Sequence, residues 1–119
     1  MTEQETAAAR LESARDQTLR RIAELEREFA GIIASTAEGS SGGDDEHDPE
    51  GATVAFERQH IAALLEQARS QLGAIETAVR KLDAGSYGRC DVCGEPIGEA
   101  RLAARPAALT CVRCAARRA

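Results

Sequence analysis

The chain has little from which to build a thick core. Among its 119 residues there is no tryptophan, one tyrosine (Tyr87), two phenylalanines (Phe29 and Phe56) and one methionine. Hydrophobic residues make up 43%, but alanine supplies much of that share. A small chain of this kind usually needs a staple such as a metal ion. Positive charge is not in excess either: the net charge is -5 and the sequence pI is about 5.1. This excludes a protein that coats nucleic acid without regard to sequence, which needs a strong positive field. No run of about 18 apolar residues occurs, so no membrane span is expected. The opening MTEQETAAAR is polar and acidic and reads as neither a signal nor a transit peptide, so a cytoplasmic location is the simplest expectation. There is no phosphate-binding glycine motif and no nucleophile with a base at an interpretable spacing, which argues against an enzyme.

What the chain does have is four cysteines, all in one stretch, as Cys90-x-x-Cys93 and Cys111-x-x-Cys114. Two such pairs across a 17-residue loop are the sequence form of a tetrahedral four-cysteine zinc site. Each Cys-x-x-Cys turn brings two sulfurs within reach of one ion, and the loop returns the second pair to complete the tetrahedron. Two disulfides or free thiols are the weaker reading, since no secretory signal precedes the pattern. A zinc with four cysteine ligands has no open position, so one structural Zn2+ is expected at Cys90, Cys93, Cys111 and Cys114.

Before the cysteines the pattern is helical. Residues 1 to about 37 form one expected helix, opened by a Thr2/Glu5 capping box. Leu11, Thr18, Ile22, Leu25, Phe29, Ile32 and Thr36 mark a seam spaced by threes and fours, interrupted by Arg15. A second helix is expected from Asp48-Pro49, with Asp48 as N-cap and proline at the first helical position. Its seam is Val54, Ile61, Leu65, Ala68, Leu72, Ile75, Val79 and Leu82, with Arg58 occupying one seam position. Ala84-Gly85 supplies the stop, and Arg80 and Lys81 suit the dipole of the last turn. Each helix is roughly 34–36 residues, on the order of 50 Å. Equal amphipathic helices joined by a short link imply an antiparallel hairpin. Pairing them places Leu11 near Val79 and Leu82, and Phe29 and Ile32 near Val54 and Phe56.

Between the helices, EGSSGGDDEHDPE carries six acids and no Lys or Arg: Glu38, Asp44, Asp45, Glu46, Asp48 and Glu50. Capping and the helix dipole account for Asp48 and Glu50. They account less well for Asp44, Asp45 and Glu46 crowded beside them, and that crowding points to a cationic or metal-bearing partner. His47 among these acids reads as solvated, as does His60 in the second helix. The fold class is therefore mainly α: a long antiparallel coiled-coil hairpin over 1–86, with an acidic tip at about 38–50, then a small four-cysteine zinc finger over 87–119.

The finger stretch reads Tyr87-Gly88-x-Cys90-x-x-Cys93-Gly94-x-x-Ile97, then Arg101-Leu102-x-Ala104-x-Pro106, then Cys111-x-x-Cys114. It closely resembles the finger of the DksA/TraR family of bacterial RNA polymerase-binding regulators. The order of parts (hairpin, acidic tip, finger) resembles the family as well. The segment DDEHDPEGATVAFERQ is similar to the tip and second helix of actinobacterial members. The resemblance implies a transcription regulator that inserts its coiled coil into the secondary channel of RNA polymerase and brings tip acids to the active centre. It implies no contact with specific DNA bases and no membrane, and a monomer is expected. The implied partner-binding residues are Asp44, Asp45, Glu46 and Asp48. Two departures stand out. The family tip is Asp-x-x-Asp-x-Ala, whereas here Asp45-x-x-Asp48 is followed by Glu50, and reading from Asp48 puts Gly51 at the second aspartate. Where better-known members carry second-helix bases that help bind guanosine tetraphosphate, this chain has Gln67, Gln71 and Ala74. That argues against a response to the alarmone.

Two other readings compete. The cysteine spacing is also that of GATA-type DNA-binding fingers, and the stretch from Tyr87 is locally basic, with Arg89, Arg101, Arg105, Arg113, Arg117 and Arg118 against Asp91, Glu95 and Glu99. Its basic tail is short, however, and groove binding needs a contiguous basic face. A redox or zinc-sensing adaptor, in which the thiolates respond to oxidants, is the other.

Overall fold

The computed structural model describes the backbone of residues 2–39 and 49–118 and the side chains of residues 2–35 and 51–117. Four helices follow in order: α1 (Glu3–Gly39), α2 (Pro49–Ala84), α3 (Glu99–Ala104) and α4 (Val112–Arg118). Among the described residues there is no strand, only an isolated antiparallel bridge between Arg89 and Pro96. None of the described helices is long and apolar enough to cross a membrane.

The ends of the long helices follow from local chemistry. At the start of α1, the Glu5 N–H donates to Thr2 Oγ1 at 3.1 Å and the Thr2 N–H donates to Glu5 Oε2 at 3.2 Å. This reciprocal pair is the expected capping box, and it satisfies two otherwise orphaned donors. At the end of α2, Gly85 takes φ 80°, which glycine adopts without the strain a side chain would bring. The Gly85 N–H then reaches Leu82 O at 3.2 Å and the Ser86 N–H reaches Lys81 O at 2.8 Å. Those two bonds form a Schellman motif, so the stop read at Ala84-Gly85 is where the helix ends. The helices run to Gly39 and resume at Pro49, inside the expected tip limits of 38–50. Asp44, Asp45, Glu46 and Asp48 lie outside the described residues.

By compactness the chain divides into unit 1 (residues 1–18 and 70–119) and unit 2 (residues 19–69). The division crosses both long helices and leaves the finger in the same unit as the flanking parts of α1 and α2. In unit 1, Leu11 and Ile75 are fully buried with Ala78 and Ala107, and Ala14, Ala74, Val79, Leu82 and Tyr87 pack around them. Leu11 thus meets Val79 and Leu82 as the seam pairing requires. Ala7 is buried too. A separate cluster in unit 1 contains Cys90, Ile97, Cys111 and Cys114, flanked by Leu102 and Ala108.

In unit 2, Leu25 is buried with Ile61 and Leu65, and Ile22, Phe29, Ile32, Leu64 and Ala68 pack on them. The contacts run in opposite senses along the two helices. Glu26 pairs with Arg69, while Ile32 and Ser35 share a surface cavity with Val54 and Ile61. That is antiparallel packing.

Two seam assignments need correction. Phe56 is not at the Phe29/Ile32 contact: it is 74% exposed, while Val54 is half-buried. Two residues along a helix is a turn of about 200°, so Val54 and Phe56 cannot share a face. In α1 the seam passes through Ala14, which packs on the Leu11 cluster, and not through Arg15, which is exposed. A step of three from Leu11 keeps the stripe on the same face, and a charged side chain never has to enter it. The Arg58 position in α2 is likewise exposed, so the seam there passes from Val54 to Ile61 without a buried residue between.

Candidate metal centre

The finger begins where α2 stops. After the Gly85 turn, Tyr87 is half-buried against the Leu11 cluster, and its hydroxyl donates to Pro106 O at 2.7 Å. This one bond joins the start of the finger to the loop between the cysteine pairs. A buried Tyr hydroxyl needs such a partner, and burial pushes its pKa above the ordinary 10.0. The next turn is folded back on itself. The Ile97 N–H donates to Gly88 O at 2.8 Å, the Cys90 N–H to Glu95 O at 2.9 Å, and the Gly94 N–H to Cys90 O at 2.9 Å. Gly88 and Gly94 both have positive φ, 88° and 76°. At Gly88 a Cβ would lie 3.4 Å from Leu102 Cδ1, an ordinary van der Waals contact, so it is the turn that calls for glycine here.

The second pair is carried differently. Cys111 immediately precedes α4, and Cys114 lies within it. The Ala115 N–H donates to Cys111 O at 2.9 Å and closes the first turn. Between the pairs, α3 starts at Glu99 after Gly98, and the Arg101 side chain returns to donate from Nε to Thr110 O at 2.9 Å. The Asp91 N–H donates to Leu109 O at 2.8 Å, which ties the first pair to the approach of the second. One of the six arginines that made the stretch look basic is thereby committed inside the finger.

The four sulfurs come together. All lie within 4.8 Å of one another, with Cys90, Cys111 and Cys114 buried and Cys93 exposed. None forms a disulfide. Cys93 Sγ and Cys111 Sγ are 3.8 Å apart. A tetrahedral ion with Zn–S bonds of about 2.3 Å places its sulfurs about 3.8 Å apart, so the spacing fits zinc and is far too long for an S–S bond. The donor set is soft and complete, leaving no position for water or substrate. The ion is therefore structural.

The thiols are not equivalent. The Cys93 backbone N–H, first among several donors, draws the Cys90 thiol down from 9.0 to about 6, against the opposing effect of burial. The Cys111 thiol is also lowered, chiefly by the Cys114 backbone N–H. Cys114 retains its proton, pushed up to about 12 by its hydrogen bond to Cys111 and by burial. Backbone donors aimed at sulfur are what a thiolate site needs before an ion arrives.

The comparisons with known proteins converge on this region and then extend beyond it. Residues 85–118 match the model of the prokaryotic dksA/traR C4-type zinc finger. The RNA polymerase-binding transcription factor DksA of Haemophilus influenzae is 48% identical over 46 residues, and that of Caulobacter vibrioides is 52% identical over 40. These stretches are 39% and 34% of this chain and 32% and 28% of those proteins, so the chain spans about a third of the length of these relatives. The structure of transcription factor DksA2 from Pseudomonas aeruginosa is similar over 98% of this chain and 95% of that one, at 30% identity and a TM-score of 0.52. The chain belongs to the DksA/TraR family. Within that family its finger is of the four-cysteine type with one structural Zn2+, and the helix pair that precedes it corresponds to that of the DksA2 structure.

Several contacts of the finger were not visible in the sequence. Ala107 was not singled out, yet it joins the Leu11 core. Lys81 was assigned to the helix dipole, yet its ammonium donates to Arg89 O at 2.9 Å and to the Asp91 carboxylate. The helix α3 was not foreseen either. Its signal, Gly98 followed by EARLAA, is too short to stand out as a helix on periodicity.

Proposed function

We propose that this protein binds bacterial RNA polymerase and regulates transcription, without catalysis of its own. The observation that carries the reading is the likeness to DksA2 over nearly the whole of both chains. The finger match alone could belong to a finger fused to something else. The relatives named RNA polymerase-binding transcription factors add weight, since they share the finger at about half identity.

In the finer reading the zinc, held by Cys90, Cys93, Cys111 and Cys114, braces the finger, and the hairpin enters the secondary channel of the polymerase. Asp44, Asp45, Glu46 and Asp48 then approach the active centre and alter the stability of promoter complexes. A narrow, acid-tipped helix pair suits a channel that leads to bound cations. The protein acts as a monomer in this reading. Gln67, Gln71 and Ala74 in place of bases leave guanosine tetraphosphate without its partners on α2.

The test combines a pull-down with transcription in a purified system. The wild type is expected to retain polymerase and to change the output of selected promoters. The triple variant Asp44→Asn, Asp45→Asn, Asp48→Asn is expected to retain polymerase but return transcription to the level without the protein. An unchanged transcription effect in the triple variant would remove the acidic tip from the mechanism. Failure of the wild type to retain polymerase would remove the polymerase reading altogether.

A further inference from the structure

Lys81 lies in the last turn of α2, nine residues before the first cysteine. At such a position a lysine is ordinarily solvated and contributes a few tenths of a kcal/mol through the helix dipole. Here the side chain is only 17% exposed. Its Nζ donates to Arg89 O at 2.9 Å and makes an ion pair with the Asp91 carboxylate. These two acceptors belong to the residues on either side of Cys90, a buried member of the sulfur cluster. The backbone of Lys81 is fixed as well, because its carbonyl accepts the Ser86 N–H in the Schellman turn. One residue thus ends the helix with its main chain and grips both flanks of a metal ligand with its side chain.

We propose that Lys81 is a positioning residue of the metal centre. By holding the chain before and after Cys90, it presents that sulfur to the ion already oriented, so that less ordering is left for binding to pay. The inference rests on the zinc reading of the four cysteines. Residues that hold a metal ligand in place from behind typically change metal affinity about 10–100-fold when removed. A dipole role has a different signature: it changes helix stability and leaves metal affinity alone.

The experiment is a titration of the full chain with Zn2+ against a chromophoric chelator, with far-ultraviolet circular dichroism of the zinc-saturated protein. The wild type is expected to bind one zinc per chain. Should it bind none, the zinc reading fails, and Lys81 has no centre to position. Lys81→Met keeps the aliphatic stem and removes the ammonium. It is expected to raise the zinc Kd about tenfold while leaving helix content unchanged. Asp91→Asn leaves the Arg89 contact in place and is expected to give a smaller rise. Arg80→Met serves as the control, because the Arg80 guanidinium donates to Thr77 Oγ1 on its own helix and not to the finger. Zinc affinity equal to wild type in Lys81→Met overturns the proposal, as does an equal loss in Arg80→Met. Should Lys81→Met fail to fold, Asp91→Asn carries the decision, and unchanged affinity there overturns the proposal.

Discussion

Units 1 and 2 both pack α1 against α2, but they are held by different means. Among the described residues of unit 2 the buried cluster is Leu25, Ile61 and Leu65, with a half-buried fringe of Ile22, Phe29, Ile32, Leu64 and Ala68. Among its described residues the packing is mainly a stripe meeting a stripe. Unit 1 has the same kind of stripe contact at Leu11, Ile75 and Ala78, but Ala107 of the finger completes it. It adds the sulfur cluster and a set of hydrogen bonds between residues distant in sequence, such as Tyr87 to Pro106 and Arg101 to Thr110. Helical hydrogen bonds need no partner beyond four residues away, so unit 2 is specified by periodicity alone. The finger lacks that periodicity and depends on the ion to offset the entropy of its loops.

The largest expected effect therefore comes from removing the ion. Chelation, or Cys111→Ser, should abolish protection of finger amides in hydrogen exchange while amides of residues 19–35 and 55–69 keep most of theirs. Structural zinc in finger peptides contributes on the order of 10–16 kcal/mol at neutral pH, more than the finger can recover by other means. Acid should act in the same direction. Protons compete with zinc for the thiolates, and Cys90, lowered to about 6, begins to take up its proton as pH falls through that value. Zinc affinity is then expected to fall more steeply per pH unit below about 6 than just above it, as read by chelator competition. In the metal-free finger the lowered Cys90 contributes stability above its ordinary 9.0 and loses it as pH falls from there toward 6. Cys114, raised to about 12, contributes below 9.0 and loses that contribution as pH climbs. Uniform loss of protection across both units on chelation would break the comparison.

A finer division comes from one core truncation in each unit. Ile75 and Leu25 are both fully buried, and Ile75→Ala or Leu25→Ala should each cost about 2–5 kcal/mol of stability in the part of the chain it serves. Their consequences for the metal should differ. Ile75 touches the cluster that Ala107 and Tyr87 complete, so its loss should also weaken zinc binding. Leu25→Ala should leave zinc affinity at the wild-type value. Paired denaturation and zinc-competition measurements on both variants check this, and equal loss of zinc affinity in the two would show that the units are not separable.

What could be read from sequence follows the same line. The Thr2/Glu5 box, the Gly85 stop and the start at Pro49 are local chemistry, and each is where the sequence places it. The cysteine pairs state their own geometry, because the four sulfurs close into one cluster through two short turns. Alanine was the main obscurity. Ala78 and Ala107 are core residues and Ala14 packs against them, but in an alanine-rich chain a buried alanine has no mark that separates it from an exposed one. Phe56 was obscure for the opposite reason: a large aromatic looks like core even when its helical angle turns it outward. The contacts of Lys81 and Arg101 reach across a turn or a loop to carbonyls, and a carbonyl belongs to every residue, so no sequence pattern reports them.

The smallest effect should come from the ion pair of unit 2. Arg69 Nη2 and Glu26 Oε2 are 3.7 Å apart, with side chains 60% and 55% exposed. Two long side chains in water lose about as much freedom as their screened attraction returns, so such pairs are worth about 0–1 kcal/mol. A double-mutant cycle with Arg69→Ala and Glu26→Ala should give a coupling below about 0.5 kcal/mol in urea denaturation, shrinking further in high salt. Lys81 and Asp91 form a pair of the same formal kind, yet the lysine is mostly shielded and shares its ammonium with a carbonyl. The same cycle run on Lys81→Met and Asp91→Ala, read as zinc affinity, should give the larger coupling. A coupling at Arg69–Glu26 as large as the one at Lys81–Asp91 would mean that unit 2 is held by more than its stripe, and the contrast between the units would have to be redrawn around charge.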